Sequence, residues 1–232
     1  MIDKNIVAFV NARKGSKGIP GKNKKKLLGK PLIEWTLDVI KNCKYISKVI
    51  VSTDDEDVFN ICENYGCKPP FLRPSNLGGD NVLQIDVIKH SVNYLKSINY
   101  NFENIILLQP TCPIRIVNDL NMSIEKYCHN NYDSLISVTD VVGRHPKTCY
   151  SSIDNKLNPL MNSSESGVLR QEFEKVYWRN GSIYIFNKKN IIEKNSLYGN
   201  SIGFYEMPEE RSFNLDSTFD WDITESYLSF KK

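Results

Sequence analysis

Short apolar runs alternate along the chain with stretches in which apolar residues recur at helical spacing. Four runs rich in β-branched residues predict buried strands, over residues 6–10, 48–52, 104–109 and 134–139. Helical spacing predicts helices from Pro31, from an N-cap at Thr53 or Asp54 to about Gly66, over residues 80–97 and over residues 117–128. Strands that alternate with crossover helices predict a mostly parallel sheet with helices on both faces.

The last third of the chain has a different pattern. Asn180-Gly181 lies between two aromatic, β-rich arms over residues 176–186, which predicts a tight hairpin. Residues 151–167 are polar and typical of a loop, and residues 219–230 predict a terminal helix with Trp221, Tyr227 and Leu228 facing inward. We therefore predict one α/β domain over residues 1–232, with a hairpin-bearing insertion at about 140–190.

Composition places the chain among ordinary globular proteins. It has 232 residues, of which 41% are hydrophobic and 25% charged, enough to bury a core and unlike a disordered chain. No apolar run is long enough to span a bilayer, and the N-terminus lacks the features of a secretory signal. The six cysteines include no C-x-x-C pair, which favours reduced thiols. These features predict a cytoplasmic protein without a membrane partner.

Positive charge is concentrated near the N-terminus. Nine of the 30 Lys and Arg residues, but one of the 27 acids, lie in residues 1–30. Residues 11–23 directly follow the first strand and combine three glycines with the cations Arg13, Lys14, Lys17 and Lys22. Ligands bind beyond the carboxyl ends of parallel strands, and glycine amides beside cations suit a polyphosphate. A solvated basic loop is the alternative. Positive charge that is confined to one short stretch does not favour a nucleic-acid partner.

Several blocks along the chain together resemble one family. Residues 12–23 read Ala-Arg-x-Gly-Ser-Lys-Gly-Ile-Pro-x-Lys-Asn, which resembles the N-terminal signature of the acylneuraminate cytidylyltransferases, or CMP-sialic acid synthetases. Further similar blocks follow in order: Gly29-Lys30-Pro31-Leu32-Ile33, Ser52-Thr53-Asp54-Asp55, Arg73-Pro74 with Leu77 and Asp80, Leu108-Gln109-Pro110-Thr111-Cys112-Pro113-Ile114-Arg115, and Arg170-Gln171 with Tyr177 and Asn180-Gly181-Ser182-Ile183-Tyr184. The similarity covers nearly the whole chain.

The resemblance implies a fold and a reaction. The fold is a Rossmann-like, mostly parallel sheet of the nucleotide-diphospho-sugar transferase type, with a β-hairpin extension that makes a homodimer. The reaction joins CTP to a nine-carbon 2-keto-3-deoxy sugar acid of the sialic, legionaminic or pseudaminic type and releases pyrophosphate. A CMP-Kdo-type synthetase or another sugar nucleotidyltransferase is the alternative among enzymes. A non-catalytic nucleotide-binding module is the alternative of another class.

The resemblance also assigns roles to residues of this chain. Arg13 and Lys22 are implied to neutralise the triphosphate and to be catalytic, as is Asp216. The implied nucleotide-binding residues are Ala12, Arg13, Gly15, Ser16, Lys22, Asn23 and Arg73. The implied sugar-binding residues are Gln109, Lys147, Arg170 and Tyr184, with Arg170 suited to the sugar carboxylate.

Magnesium is the implied cofactor, and here the sequence departs from the family. Relatives usually carry Asp-x-Asp late in the chain, whereas this chain has Asn214-Leu215-Asp216, so the first carboxylate is missing. Asp216 and Asp220 remain as metal ligands, although both could instead cap the terminal helix. No side chain is evident as a catalytic base.

Overall fold

The computed structural model describes residues 5–141, 143–161 and 173–231. Ten strands and six helices lie within these ranges. In chain order they are β1 (Ile6–Asn11), β2 (Lys26–Leu27), β3 (Lys30–Pro31), α1 (Leu32–Lys41), β4 (Ile46–Ser52), α2 (Glu56–Asn64), α3 (Gln84–Ser97), β5 (Asn104–Leu108), α4 (Val117–His129), β6 (Ser134–Asp140), β7 (Tyr150–Ile153), β8 (Lys156–Pro159), β9 (Tyr177–Asn187), α5 (Lys188–Ile192), β10 (Ile202–Glu206) and α6 (Thr218–Phe230).

A six-stranded sheet in the order β10-β6-β9-β5-β1-β4 forms the centre of the fold. Strand β1 runs parallel to β4 and β5, and β10 runs parallel to β6. Only β9 is antiparallel to its neighbours, β5 and β6. The predicted α/β architecture, with a mostly parallel sheet, is confirmed.

Each face of this sheet is covered by helices, because the strands carry apolar residues on both sides. In β1, Ala8 and Val10 pack in a cluster with residues of α1, α2 and α4. The alternate residues Val7 and Phe9 pack on the opposite face with residues of α3. The carboxyl ends of β1, β4 and β5 therefore emerge together between two packed layers.

A third, smaller core connects the basic loop after β1 to the terminal helix. It contains the buried residues Ile19, Leu27, Leu32, Leu215 and Trp221. Ile19 belongs to the loop, whereas Leu215 lies in the segment before α6 and Trp221 lies in α6. Apolar contacts therefore fix the middle of the loop, which does not extend freely into solvent.

The hairpin predicted at Asn180-Gly181 is wrong. These residues lie inside β9, a single strand of the central sheet. Gly181 has φ +77°, and the pairing with β6 is irregular between Ile136 and Val138, so the Asn-Gly pair forms a β-bulge. The chain continues in the same direction after the bulge because both arms pair with β6.

A hairpin is present earlier, where the sequence predicted a loop. Strands β7 and β8 pair with each other and form their own two-stranded sheet. Asp154 and Asn155 connect them with φ of +51° and +61°, the pair of left-handed residues that a two-residue turn requires. Polar strand residues concealed this hairpin from a search for alternating hydrophobicity.

Two helix starts depend on side-chain caps. Asp55, rather than Thr53 or Asp54, caps α2 and accepts a hydrogen bond from the Asp57 amide at 3.0 Å. Ser217 caps α6 together with Asp220. Within the parts of the chain described, no helix is long and apolar enough to cross a membrane.

Candidate active site

A cavity of about 510 Å³ opens at the carboxyl ends of the parallel strands. It is lined by the loop after β1, the segment between β4 and α3, the end of β5 and the segment before α6. The lining residues are Asn11, Arg13, Ser16, Lys17, Gly18, Lys22, Asn23, Arg73, Leu77, Gly79, Asp80, Val82, Gln84, Val87, Gln109, Pro110, Thr111, Asn214 and Asp216. Four of them are cationic, which suits an anionic ligand.

Hydrogen bonds to the end of β4 and to the turn that follows it hold the start of the basic loop. The Ala12 amide donates to the carbonyl oxygen of Ser52 at 2.9 Å, and the Lys14 amide donates to an Asp54 carboxylate oxygen at 2.8 Å. The buried Asn23 side chain donates to the carbonyl oxygen of Arg13 at 3.0 Å and so fixes the loop from its other end. Ala12 is fully buried and is not among the residues that line the cavity, so its predicted contact with the nucleotide stays a prediction.

Asp80 is the counter-ion of the outer cations. Its carboxylate lies 2.5 Å from Arg13 Nη1 and 3.0 Å from Lys17 Nζ. Hydrogen bonds from Lys17 and Arg13 hold the pKa of the Asp80 carboxyl below its ordinary value, so it is charged at neutral pH. An entering polyphosphate would compete with this carboxylate for both cations.

Lys22 is a buried cation of the cavity and is 9% exposed. Its ammonium group donates to the Leu215 carbonyl oxygen and lies 3.4 Å from an Asp216 carboxylate oxygen. The contact joins the basic loop to the segment before α6. A buried ammonium group with one largely exposed carboxylate beside it is suited to bind an anionic ligand.

Arg73 forms the inner wall beside β4 and is 5% exposed. Arg73 Nε donates to Ser52 Oγ at 2.9 Å, and Arg73 Nη2 donates to the Ser52 carbonyl oxygen at 2.6 Å. Burial lowers the pKa of Arg73, and the nearby Asp54 opposes that shift. The end of β4 therefore positions the guanidinium, and Arg73 adds a positive charge to the lining of the cavity.

Gln109 directly follows β5 and lines the cavity as predicted. The guanidinium of the buried Arg115 donates to the carbonyl oxygens of Gln109 and Ser182 and to Thr36 Oγ1 at 2.7 Å. Burial lowers the pKa of Arg115 to about 10, so it remains a cation at neutral pH. Arg115 thus fixes the end of β5 against the bulge of β9, a role that the motif alone did not indicate.

The segment before α6 brings the Asp216 carboxylate to the cavity. The Asp216 side chain is 69% exposed, and the Asn214 amide donates to Asp216 Oδ2 at 2.7 Å. The side-chain oxygen of Asn214, Oδ1, lies 3.7 Å from Cys112 Sγ and is turned towards the protein. No group of three or more acidic, His or Cys side chains in the described ranges forms a ready metal cage.

Asp220 lies outside the cavity lining. Its Oδ2 accepts from the amides of Asp216 and Ser217, at 3.1 and 2.7 Å. This carboxylate therefore completes the capping box of α6 and orients the Asp216 backbone, as the capping alternative anticipated.

The predicted sugar-binding residues are only partly brought together. Tyr184 is buried in β9. A Cβ added to Gly181 would lie 3.9 Å from the Tyr184 hydroxyl and 3.2 Å from Gln109 Oε1, so both side chains approach this glycine. Lys147 does not line the cavity and instead places its ammonium group 5.1 Å from the centre of the Phe173 ring. Arg170 lies outside the described residues.

Sequence reasoning missed one polar residue at the floor of the cavity. Asn11 ends β1 and lines the cavity, yet none of the motifs drew attention to its side chain. The available signal was its position, since a carboxamide directly after five apolar strand residues is unusual for a purely structural strand end.

A mostly parallel sheet with a cationic cavity at the carboxyl ends of its strands is typical of α/β proteins that bind nucleotides. The sequence matches the family model described as "Cytidylyltransferase" over residues 7–231, and the chain belongs to that family. It is similar, at 30% identity over 97% of its length and 96% of the relative's, to "Post-translational flagellin modification protein B" of Campylobacter coli. It is also 30% identical to "CMP-N,N'-diacetyllegionaminic acid synthase" of Legionella pneumophila, with coverage of 98% and 97%.

A solved structure confirms the fold. CMP:2-keto-3-deoxy-manno-octonic acid synthetase complexed with CTP superimposes with a TM-score of 0.73 over 98% of this chain and 99% of that one. The two sequences are 15% identical, so this likeness concerns the fold alone.

Proposed function

We propose that the protein transfers the cytidylyl group of CTP to a nine-carbon 2-keto-3-deoxy sugar acid, giving a CMP-sugar and pyrophosphate. The observation that carries the proposal is the meeting of Arg13, Lys17 and Lys22 in one cavity at the carboxyl ends of parallel strands. Family membership supplies the class of reaction. The legionaminic acid relative supports an acceptor of the sialic, legionaminic or pseudaminic type.

In this reaction the anomeric hydroxyl of the sugar acid attacks the α-phosphorus of CTP. A bond forms between that oxygen and the α-phosphorus, and the bond from the α-phosphorus to the bridging oxygen breaks. Pyrophosphate leaves, and the hydroxyl proton passes to water. Such chemistry depends on positioning and on neutralising charge more than on a covalent nucleophile.

The basic loop would hold the triphosphate. Lys22 is buried and fixed, and it would stabilise the charge that develops on the leaving pyrophosphate. Arg13 and Lys17 would bind the outer phosphate oxygens once Asp80 is displaced. The amides of Gly15 and Ser16 add uncharged donors to the same loop.

The acceptor would lie towards the end of β5. Gln109 offers a carboxamide to the sugar hydroxyls. Tyr184 does not line the cavity, but its hydroxyl and Gln109 Oε1 both lie within 4 Å of the position of a Cβ added on Gly181. For the sugar carboxylate we keep Arg170 as the proposed partner, because a planar guanidinium binds carboxylates in two places. Lys147 would reach the sugar only through a rearrangement of the segment that now holds it against Phe173.

The donor set near Asp216 fits a magnesium ion held mostly by substrate. Magnesium is commonly bound by one or two carboxylates together with phosphates and waters. Asp216 provides an exposed carboxylate at the cavity wall, and Asn214 can add a neutral oxygen after its amide rotates. When bound, the ion would neutralise phosphate charge. Asp220 would support it by orienting Asp216.

We further propose that the enzyme is a homodimer in the cytoplasm, where CTP is made. The β7–β8 hairpin supports the dimer, since Ile153 and Leu157 are 62% and 69% exposed. Apolar side chains of this size on a small two-stranded sheet favour contact with another protein surface.

Pyrophosphate release tests the proposal. Purified protein with CTP and Mg²⁺ is assayed against sialic, legionaminic, pseudaminic and Kdo acids. We expect release with at least one nine-carbon acid, and a fall of about a hundredfold or more for Lys22→Ala. Lys26→Ala, an exposed lysine outside the cavity, is the matched control and should retain activity. Release with Kdo alone, or with no acid despite CTP binding, would overturn the proposal.

A further inference from the structure

We propose that the side chain of Asn11 binds the pyrimidine base of the nucleotide, an assignment that rests on the cytidylyl transfer proposed above. Asn11 is the last residue of β1 and pairs with Ser52 of β4. It follows Val7 and Phe9 on the sheet face that packs against α3. Its carboxamide therefore lies on the floor of the cavity, on a rigid strand.

This carboxamide has no protein partner. Both Asn11 Nδ2 and Asn11 Oδ1 are shielded from solvent, and neither makes a hydrogen bond to any described part of the chain. By contrast, Asn23 in the same cavity is fixed to the Arg13 carbonyl oxygen. Buried polar groups are nearly always paired in native proteins, because leaving them unpaired costs stability. A donor and an acceptor left unpaired in a ligand cavity point to a ligand that pairs with both.

The chemistry of the cavity divides into two regions. Arg13, Lys17 and Lys22 supply the charge that phosphates need. Among the described residues of the lining, Leu77, Val82 and Val87 are the aliphatic side chains besides Pro110, and they are suited to the faces of a flat ring. A nucleoside triphosphate has a charged phosphate chain and a flat base, which match these two regions. The base therefore belongs in the apolar region. That region lies on the α3 side of the sheet, which is the side that Asn11 faces.

A carboxamide and a cytosine edge complement each other. Asn presents one acceptor oxygen and one donor nitrogen side by side. The cytosine edge presents an amino donor next to a ring-nitrogen acceptor, so Asn11 Oδ1 can accept from the amino group while Nδ2 donates to the ring. The same bidentate geometry is used by Asn on adenine edges. An ionised phosphate only accepts and would leave Oδ1 unpaired, whereas ribose hydroxyls can donate and accept, so a base-free ribose ligand is included in the test.

Calorimetric binding of three ligands separates the parts of the nucleotide. CTP, ribose 5-triphosphate and inorganic tripolyphosphate are titrated into the wild-type protein and into Asn11→Leu, which keeps the shape but removes both polar atoms. We expect CTP to bind Asn11→Leu about tenfold or more weakly, while the two base-free ligands bind within twofold of wild type. The melting temperature should stay the same or rise, since a buried unpaired amide is removed.

Each other outcome overturns the assignment. Equal CTP affinity in both proteins would show that Asn11 does not touch the nucleotide. A matching loss for ribose 5-triphosphate would place Asn11 at the ribose, and a lowered melting temperature with parallel loss of all three ligands would make it structural. Asn11→Ala gives the same expectation if leucine does not fit. If wild-type protein binds CTP no better than tripolyphosphate, the proposed function itself fails.

Discussion

Gly18 lies directly against the backbone of Asp216. A Cβ built on Gly18 would be 1.8 Å from the Asp216 carbonyl oxygen, far inside any contact distance. This approach brings the basic loop and the segment before α6 together, although they are almost two hundred residues apart in sequence. It also explains why Lys22 can reach Leu215 and Asp216 at once. Glycine is needed here for space.

Replacing Gly18 by alanine should therefore separate the two segments. The obstacle is backbone, which cannot move aside as a side chain can, so the loop must shift. A displacement of about 1 Å in a binding group can cost about a hundredfold in rate. We expect Gly18→Ala to lower kcat/KM by about that factor. Gly143→Ala, with nothing within 4 Å of its added Cβ and a position outside the cavity, is the control. Equal activities for the two variants would contradict the packing described.

Asp80 should weaken phosphate binding in the free protein because it neutralises Arg13 and Lys17. Exposed ion pairs contribute little to affinity because water and salt screen them. We expect Asp80→Asn to bind tripolyphosphate two- to fivefold more tightly, about the range that such pairs allow. Asp57→Asn, which removes a carboxylate paired with Lys24 outside the cavity, should leave affinity unchanged. Weaker binding by Asp80→Asn would mean that this carboxylate supports the ligand.

The missing carboxylate at position 214 should limit the affinity for magnesium. Asn214→Asp would add a charged oxygen next to Asp216, and the number of charged ligands sets the affinity of oxygen sites for divalent ions. We expect the half-saturating Mg²⁺ concentration for pyrophosphate release to fall about three- to tenfold. Asn118→Asp adds the same charge at an exposed position outside the cavity and is the control. An unchanged or increased magnesium requirement would exclude residue 214 from the metal site.

Arg115 should be important for stability as well as for activity. It is buried and joins Gln109, Ser182 and Thr36 through charged hydrogen bonds. Arg115→Met leaves the two carbonyl oxygens without this donor, and we expect the free energy of unfolding to fall by about 3 kcal/mol. The measurement is urea denaturation, with the exposed Arg144→Met as control. A loss below about 0.5 kcal/mol, typical of surface substitutions, would contradict the network.

The parts of the fold that the sequence predicted best were those with strong periodicity. Strand β1 and helices α1 and α4 were correctly predicted because burial on a defined face leaves a clear apolar pattern. The Asn180-Gly181 pair misled because a left-handed glycine serves a bulge as well as a turn, and only pairing with β6 distinguishes them. Strand β10 was missed because its residues are mostly exposed and its one buried position is a glycine, Gly203, packed against Tyr132.

The same contrast applies to the cavity. Arg13 and Lys22 could be predicted because they lie in one motif after one strand. Asp80 and Arg115 were visible as members of motifs, but their partners depend on contacts between distant segments. Asn11 left only a faint signal, since the absence of a hydrogen-bond partner is a property of the folded chain.

The most direct test of the account is a crystal structure of the protein with CTP or a non-hydrolysable analogue. We expect phosphates in contact with Arg13, Lys17 and Lys22, the carboxylate of Asp80 moved away from both outer cations, and the base against Asn11. A nucleotide bound at another surface, with the Arg13–Asp80 ion pair intact, would contradict it.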